Sequence, residues 1–273
     1  MRHTFALLLL LTLAACGNGG GGGTPTAPAP TISSIVITLE DILLVGRNAT
    51  ATAVATLSNG QTQGVTSGWQ SGATNIATVT NAGTVLGVSN GTAVISVSSG
   101  GRQASLPIRV APDYEGQWQG FQVVTACRDT GELTGICEDP EVFPSVVGGA
   151  FPIQLSARQP GALEVSGEFV VEQIMFPTFI TIVDDQGAMT FAAAAQEQEL
   201  HASVRWSMTS PGRGLATGTI QETWTFPGLI QGEIVFESTL EEFHNQAVAS
   251  QAVSTAPSLR RKLVERLRLQ PRR

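Results

Sequence analysis

Few residues in this chain have the type and spacing to do chemistry. Three cysteines stand at positions 16, 127 and 137, and three histidines at 3, 201 and 244. Cys16 ends an apolar run, LTLAAC, and opens a glycine tract, GNGGGGG. Cys127 and Cys137 flank a short loop. After export they would face an oxidising compartment, where a disulfide outweighs a zinc site, because no histidine or third cysteine lies nearby. Glu222 sits in the alternating stretch Ala216, Gly218, Ile220, Glu222, Trp224. If that face turns inward, its carboxyl needs a partner or a raised pKa and could orient a polar ligand head; a place near a barrel end, or a bulge in the strand, is the other reading. Asp129, Glu132, Glu138, Asp139 and Glu141 gather around the cysteine loop without EF-hand spacing and read as a solvated acidic loop, so no metal is expected. His201 and His244 read as surface residues, and no Ser-His-Asp or paired-acid spacing is present. The chain is expected not to be an enzyme and to need no cofactor.

The N-terminus frames Cys16. Arg2 precedes an apolar run from Phe5 to Leu13, too short to span a bilayer as a helix, followed by small residues. Leu13-Ala14-Ala15-Cys16 resembles the bacterial lipobox. That resemblance implies a signal peptide over 1–15, cleavage before Cys16 and acylation of its thiol. Gly17 lacks the aspartate that retains some lipoproteins at the inner membrane, so the resemblance favours the outer membrane of a cell envelope. Residues 16–30 then form a lipidated leash, in which the fourteen residues 17–30 give a typical reach of about 20 Å and a limit of roughly 48 Å, and the stretch Thr24–Pro30 stiffens the far end.

Charge divides by region. Residues 31–110 are nearly neutral; residues 113–245 carry nineteen acids against four arginines; residues 246–273 carry seven basic groups and one acid. The acidic middle repels nucleic acid, which binds through cationic contacts with phosphate. The whole chain is −7 at neutral pH.

Residues 31–110 alternate with period two, as in Ala49, Ala51, Ala53 and Ala55, and are punctuated by Asn59-Gly60, Asn81-Ala82-Gly83 and Asn90-Gly91. This predicts a sandwich of short strands. Trp69-Gln70-Ser71, Ile76-Ala77-Thr78-Val79, Gly83-Thr84-Val85-Leu86-Gly87 and Gly91-Thr92-Ala93 together resemble the second group of bacterial immunoglobulin-like domains. The resemblance implies a spacer or adhesive module, with Trp69 in its core.

Residues 113–245 predict eight strands, at about 117–126, 150–158, 162–172, 178–183, 188–195, 199–209, 214–226 and 229–239. The Pro-Gly pairs at 160–161, 211–212 and 227–228 predict type II turns. Leu200, Ala202, Val204, Trp206 and Met208 share one face, as do Ile230, Gly232, Ile234 and Phe236. The fold class is therefore all-β: an Ig-like sandwich followed by an antiparallel up-and-down barrel, with a second sandwich as the alternative. Tyr114-Glu115-Gly116-Gln117-Trp118 is similar to the Gly-x-Trp opening of lipocalin-like barrels, although no arginine follows the last strand to cover Trp118. The apolar stretch Gln173–Pro177 reads as a loop, where Met175 and Phe176 either admit a small apolar ligand toward Trp206, Glu222 and Trp224 or plug the barrel end. In the tail, 246–273, Leu259, Leu263 and Leu267 fall at i, i+4, i+8 among Arg260, Arg261, Lys262, Arg266 and Arg268. A short basic helix there could dock on an anionic membrane or on the acidic barrel, or stay solvated. The function expected is that of a membrane-anchored envelope lipoprotein whose barrel binds a small apolar ligand. The alternative is a structural or adhesive surface protein with a solid barrel and a cell-surface partner.

Overall fold

A computed structural model describes residues 28–143, 146–171, 174–197, 199–211 and 214–245, together with Leu263, Glu265 and Leu267. The expected signal peptide, Cys16 and most of the expected leash lie outside the described residues, as does most of the tail.

The first domain holds ten strands: β1 (Ile32–Thr38), β2 (Ile42–Leu44), β3 (Asn48–Thr50), β4 (Thr52–Leu57), β5 (Thr62–Gly64), β6 (Trp69–Ser71), β7 (Ala77–Val79), β8 (Thr84–Gly87), β9 (Gly91–Ser99) and β10 (Arg102–Ala111). They form three sheets, ordered β1-β4-β5, β2-β10-β9-β6 and β3-β8-β7. The alternating alanines do point inward at Ala51, Ala53 and Ala55. The chain switches sheets at Ala51, however, so that β3 pairs with β8 and β4 with β1. Ile95, Val97, Val85 and Trp69 complete the core, as their apolar alternation requires.

The second domain is an eight-stranded antiparallel barrel of β11 (Gly116–Asp129), β12 (Ala150–Arg158), β13 (Glu164–Val171), β14 (Ile174–Ile182), β15 (Ala188–Glu197), β16 (Leu200–Thr209), β17 (Leu215–Thr225) and β18 (Glu233–Asn245). Consecutive strands pair from β11 to β14 and from β15 to β18, and β11 pairs with β18, so one continuous sheet curls into a nearly closed barrel, which removes the sandwich alternative. The one break in lateral pairing lies between β14 and β15, where a single bridge, Val183–Met189, joins the arms of the hairpin.

Three expectations need correction. β14 starts at Ile174, so Met175 and Phe176 lie on a strand rather than in a loop. Pro177 stands exposed on that strand, next to the break in pairing, where a residue without an N–H is tolerated. The last strand runs 233–245 rather than 229–239, because the turn at Gly228 (φ 82°) is followed by irregular chain through Gly232. Ile230 and Gly232 thus precede the strand they were expected to line. The third concerns the Pro-Gly turns: Gly228 adopts the expected positive φ, Gly161 does not, and Gly212 lies outside the described residues.

The barrel interior is a continuous stack of rings. Tyr114 meets Trp118, Trp118 stacks on Phe243 at 5.8 Å, and Phe243 meets Trp206 at 5.6 Å. Trp206 meets Phe169 and Phe191, each at 5.5 Å, and Phe179 stacks on Phe191 while Phe176 stacks on Phe169. The connection after β11 folds back over one end, burying Leu133, Ile136, Val142, Phe143 and Val146. A disulfide, Cys127–Cys137, ties that cap to β11.

Candidate functional site

The most polar point of the interior is Glu222. It lies on the inner face of β17, opposite Phe236 of β18 and Val204 of β16, and is 2% exposed. Gln122, inward on β11, donates from Nε2 to Glu222 Oε1 at 2.6 Å, and Trp224 Nε1 donates to Oε2 at 3.1 Å. Desolvation pushes the Glu222 carboxyl above its ordinary value of 4.5, and the two donated bonds oppose that rise. Gln122 Oε1, Ser238 Oγ and Trp206 Nε1 are buried nearby in the same core without a partner among the described residues. Among the described residues, the side chains that bond Glu222 are Gln122 and Trp224, neither of which titrates. The arrangement is a hydrogen-bond knot tying β11 to β17 across β18, and it supplies one carboxyl rather than an acid–base pair.

The residues expected to line a ligand entrance part company. Trp206 and Trp224 are buried, 1% exposed each, and face inward with Glu222. Phe176 also faces inward and is fully buried against Phe169 at 4.5 Å. Met175 is 67% exposed on the outer face. Adjacent residues of a strand point to opposite sides, so no mouth forms from this pair. Two shallow depressions lie on the outer face of β15–β18: one of about 410 Å³ beside Arg205, Gln221 and Glu237, the other of about 280 Å³ beside Gln196, His201 and Ser203.

The acidic loop has local work. Asp129 accepts from Cys137 N at 2.7 Å and Glu132 accepts from Gln231 N at 2.8 Å, which holds the cap to β11 and to the start of β18. Among the described residues no three His, Cys, Asp or Glu side chains converge as a metal site.

A second constellation, not anticipated from sequence, joins the two domains. β10 ends at Ala111 and β11 begins at Gly116, so four residues connect them. Tyr114 within that connector is fully buried, and its hydroxyl donates to the carbonyls of Gly187 (2.6 Å) and Met208 (3.3 Å). Burial raises the Tyr114 phenol's pKa, so it stays a donor at any ordinary pH. Gln159, itself buried, accepts from Tyr114 N at 2.6 Å and donates to the Pro112 and Ala162 carbonyls. From the first domain, Arg109 donates to the Asp184 carbonyl and pairs with the Asp185 carboxylate at 3.1 Å. Asn90 Nδ2 donates to Gln186 O at 2.9 Å. Arg47 pairs with Asp113 at 3.0 Å. The β14–β15 turn therefore rests on the base of the first domain. Gly187 at its corner has φ +77°, and a Cβ there would come within 2.6 Å of Asn90. The polar groups involved could be seen in the sequence, but partners 75 to 96 residues apart could not.

No known protein family matches this chain, and no curated protein matches it. Among solved structures it is similar to domains 4–9 of the surface-layer protein SbsC, at 15% identity over 76% of this chain and 31% of that one, with a TM-score of 0.29. Domains 5–6 of the same protein match at 15% identity over 76% of this chain and 97% of that one, with a TM-score of 0.26. The chain thus spans about a third of the length of the larger of these two structures.

Proposed function

We propose that this chain is a structural protein of the bacterial cell envelope, in which an Ig-like spacer holds a solid β-barrel at a fixed angle away from a lipid anchor on Cys16. The observation that carries this reading is the bonded joint. Tyr114, Gln159, Arg109 and Asn90 fix the turn 184–187 and the four-residue connector from both sides. Flexibly hinged domains have no use for such a set. The ring-filled interior supports the same reading, since the space a ligand of the lipocalin kind would occupy holds Trp118, Phe169, Phe191, Trp206 and Phe243. The sequence at Leu13–Cys16 supports the anchor, and Gly17 supports the outer membrane. The barrel surface is the part offered to a cell-surface partner, and no catalytic role is assigned to any residue.

Two measurements test this together. Mass spectrometry of the native N-terminal peptide should find Cys16 acylated; a free thiol or an uncleaved leader refutes the anchor. Titration of the acyl-free protein with a fluorescent fatty acid should give no saturable signal at micromolar concentration. Saturable binding that quenches Trp206 or Trp224 refutes the solid barrel.

A further inference from the structure

The larger hollow on the outer face of β15–β18, about 410 Å³, sits between two register slips. On β11, Thr125 is the extra residue between Val124, opposite Ser238, and Ala126, opposite Glu237. On β17, the ladder to β18 slips between Ala216 and Thr219. Bulges of this kind twist a strand and re-aim its side chains, and they recur beside active sites. Here the ladders bring hydroxyls into line. Thr190 stands opposite Ser207, Ser207 opposite Thr219, and Thr219 opposite Thr239. With strands about 4.8 Å apart, the row is about 14 Å wide. One step along, Arg205 stands opposite Gln221, and Gln221 opposite Glu237. Further along, Ser203 faces Thr223 and His201 faces Thr225, and these four line the second hollow of about 280 Å³. The two hollows follow one another along β16–β17 from Ser207 to His201, a run of about 20 Å.

The lining selects a ligand class. Arg205 and Gln221 are exposed, and among the described residues they spend no side-chain hydrogen bond on the protein. A guanidinium only donates, a carboxylate only accepts, and hydroxyls and amides do both. A ligand that meets all of them must itself offer donors and acceptors at short intervals. Polymers of phosphate or sulfate offer acceptors alone, and they are repelled by Glu237 in the hollow and by the nineteen acids of the domain. An apolar ligand would dehydrate Arg205 and Gln221 without replacing their hydrogen bonds. Threonine methyls and the Arg205 stem place C–H surface between the polar groups, the same alternation that a sugar ring presents. Building on the reading of the barrel surface as the part offered to a cell-surface partner, we propose that this furrow binds a neutral glycan chain laid along β16–β17, with Arg205 and Gln221 as its central contacts. Trp206, the indole that borders the hollow, is 1% exposed and offers no stacking face. Binding therefore draws on hydrogen bonds that compete with water, which holds a short chain only in the millimolar range.

The test titrates the isotope-labelled, acyl-free protein with cellohexaose and with chitohexaose and follows backbone amide shifts by NMR. Saturable shifts should cluster on β15–β18, with a millimolar dissociation constant for at least one of the two. The double variant Arg205→Ala/Gln221→Ala should keep the wild-type urea midpoint and bind at least tenfold more weakly. No saturable shift with either glycan overturns the proposal. So do shifts confined to other strands, binding that the double variant leaves unchanged, and tighter binding of dextran sulfate than of dextran. A failed titration beside an acylated Cys16 and a barrel that refuses fatty acid strikes the glycan alone; a free Cys16 thiol strikes the envelope reading whatever the glycans do.

Discussion

Glu222→Gln isolates the effect of burying one carboxyl. In the wild type the folded-state pKa is raised above 4.5 by desolvation, with Gln122 and Trp224 opposing the shift. Below pH 4.5 the carboxyl is protonated whether the chain is folded or unfolded, and its contribution to stability is fully present. Between 4.5 and the folded value, the unfolded chain gives up the proton and the folded chain keeps it. Stability therefore falls as pH rises through that window, by about 1.4 kcal/mol per pH unit for one proton. Above the folded value the loss is complete and the curve levels. Glutamine reproduces the protonated acid: its carbonyl can accept from Trp224 Nε1 while its amide donates to Gln122 Oε1, which needs only a reversal of the Gln122 amide. The variant carries no such slope. Urea unfolding of both proteins at half-unit steps from pH 5 to 8 should show the variant gaining on the wild type by about 1.4 kcal/mol per unit before the difference levels, and every other titrating group cancels in the difference. In a barrel of this size, each kcal/mol moves the thermal midpoint by roughly 3–6 °C. Parallel curves, or a gap that widens toward acid pH, would refute the claim that Glu222 is desolvated in the fold. Glu222→Leu separates charge from hydrogen bonding, because it strands two buried donors at a cost of about 1–3 kcal/mol each.

Other expectations concern the cap, the joint and the ring stack. Replacing Cys127 and Cys137 by alanine opens a short loop and should cost about 3 kcal/mol on the chain-entropy argument, read as a shift in urea midpoint that reductant no longer enlarges. Gly187→Ala forces a side chain into a left-handed backbone and against Asn90. It should cost about 1–3 kcal/mol and widen the distribution of interdomain distances in small-angle scattering; an unchanged scattering profile would contradict the stiff joint. Arg109→Ala should change stability little, because Asp185 is 94% exposed and exposed pairs contribute at most about 1 kcal/mol; its effect should appear in the same scattering measurement. Trp118→Ala removes a fully buried ring stacked on Phe243 and bonded to Tyr114 O, and should cost about 3–5 kcal/mol in equilibrium unfolding.

Period-two patterning was the legible part of this sequence. Leu200, Ala202, Val204, Trp206 and Met208 are all buried as their spacing demands, and so are Ile153, Leu155 and Ala157. Glu222 could be placed on an inward face because its neighbours alternate around it. Its donor Gln122 is 100 residues away and could not be found. The start of β14 was hidden by Pro177, which reads as a turn unless the strand is known to lie beside a break in pairing. The end of β18 was hidden by bulges: the ladder to β17 slips between Ala216 and Thr219, and Glu242 takes a positive φ of 49°. Local alternation cannot foresee a slip that the partner strand imposes. The joint was illegible for a related reason. Arg109, Asn90 and the turn 184–187 each look like ordinary surface chemistry until the two domains meet.

The parallel pairing of β2 with β10 has a mechanical side. Its register runs Ile42 with Arg109, Leu43 with Val110 and Leu44 with Ala111. Force applied at the start of β2 and at the end of β10 pulls the two strands in opposite directions along their length. The bonds between the two strands then bear the tension side by side and must rupture together, instead of unzipping in turn. The four-residue connector after Ala111 passes any such tension straight to the barrel.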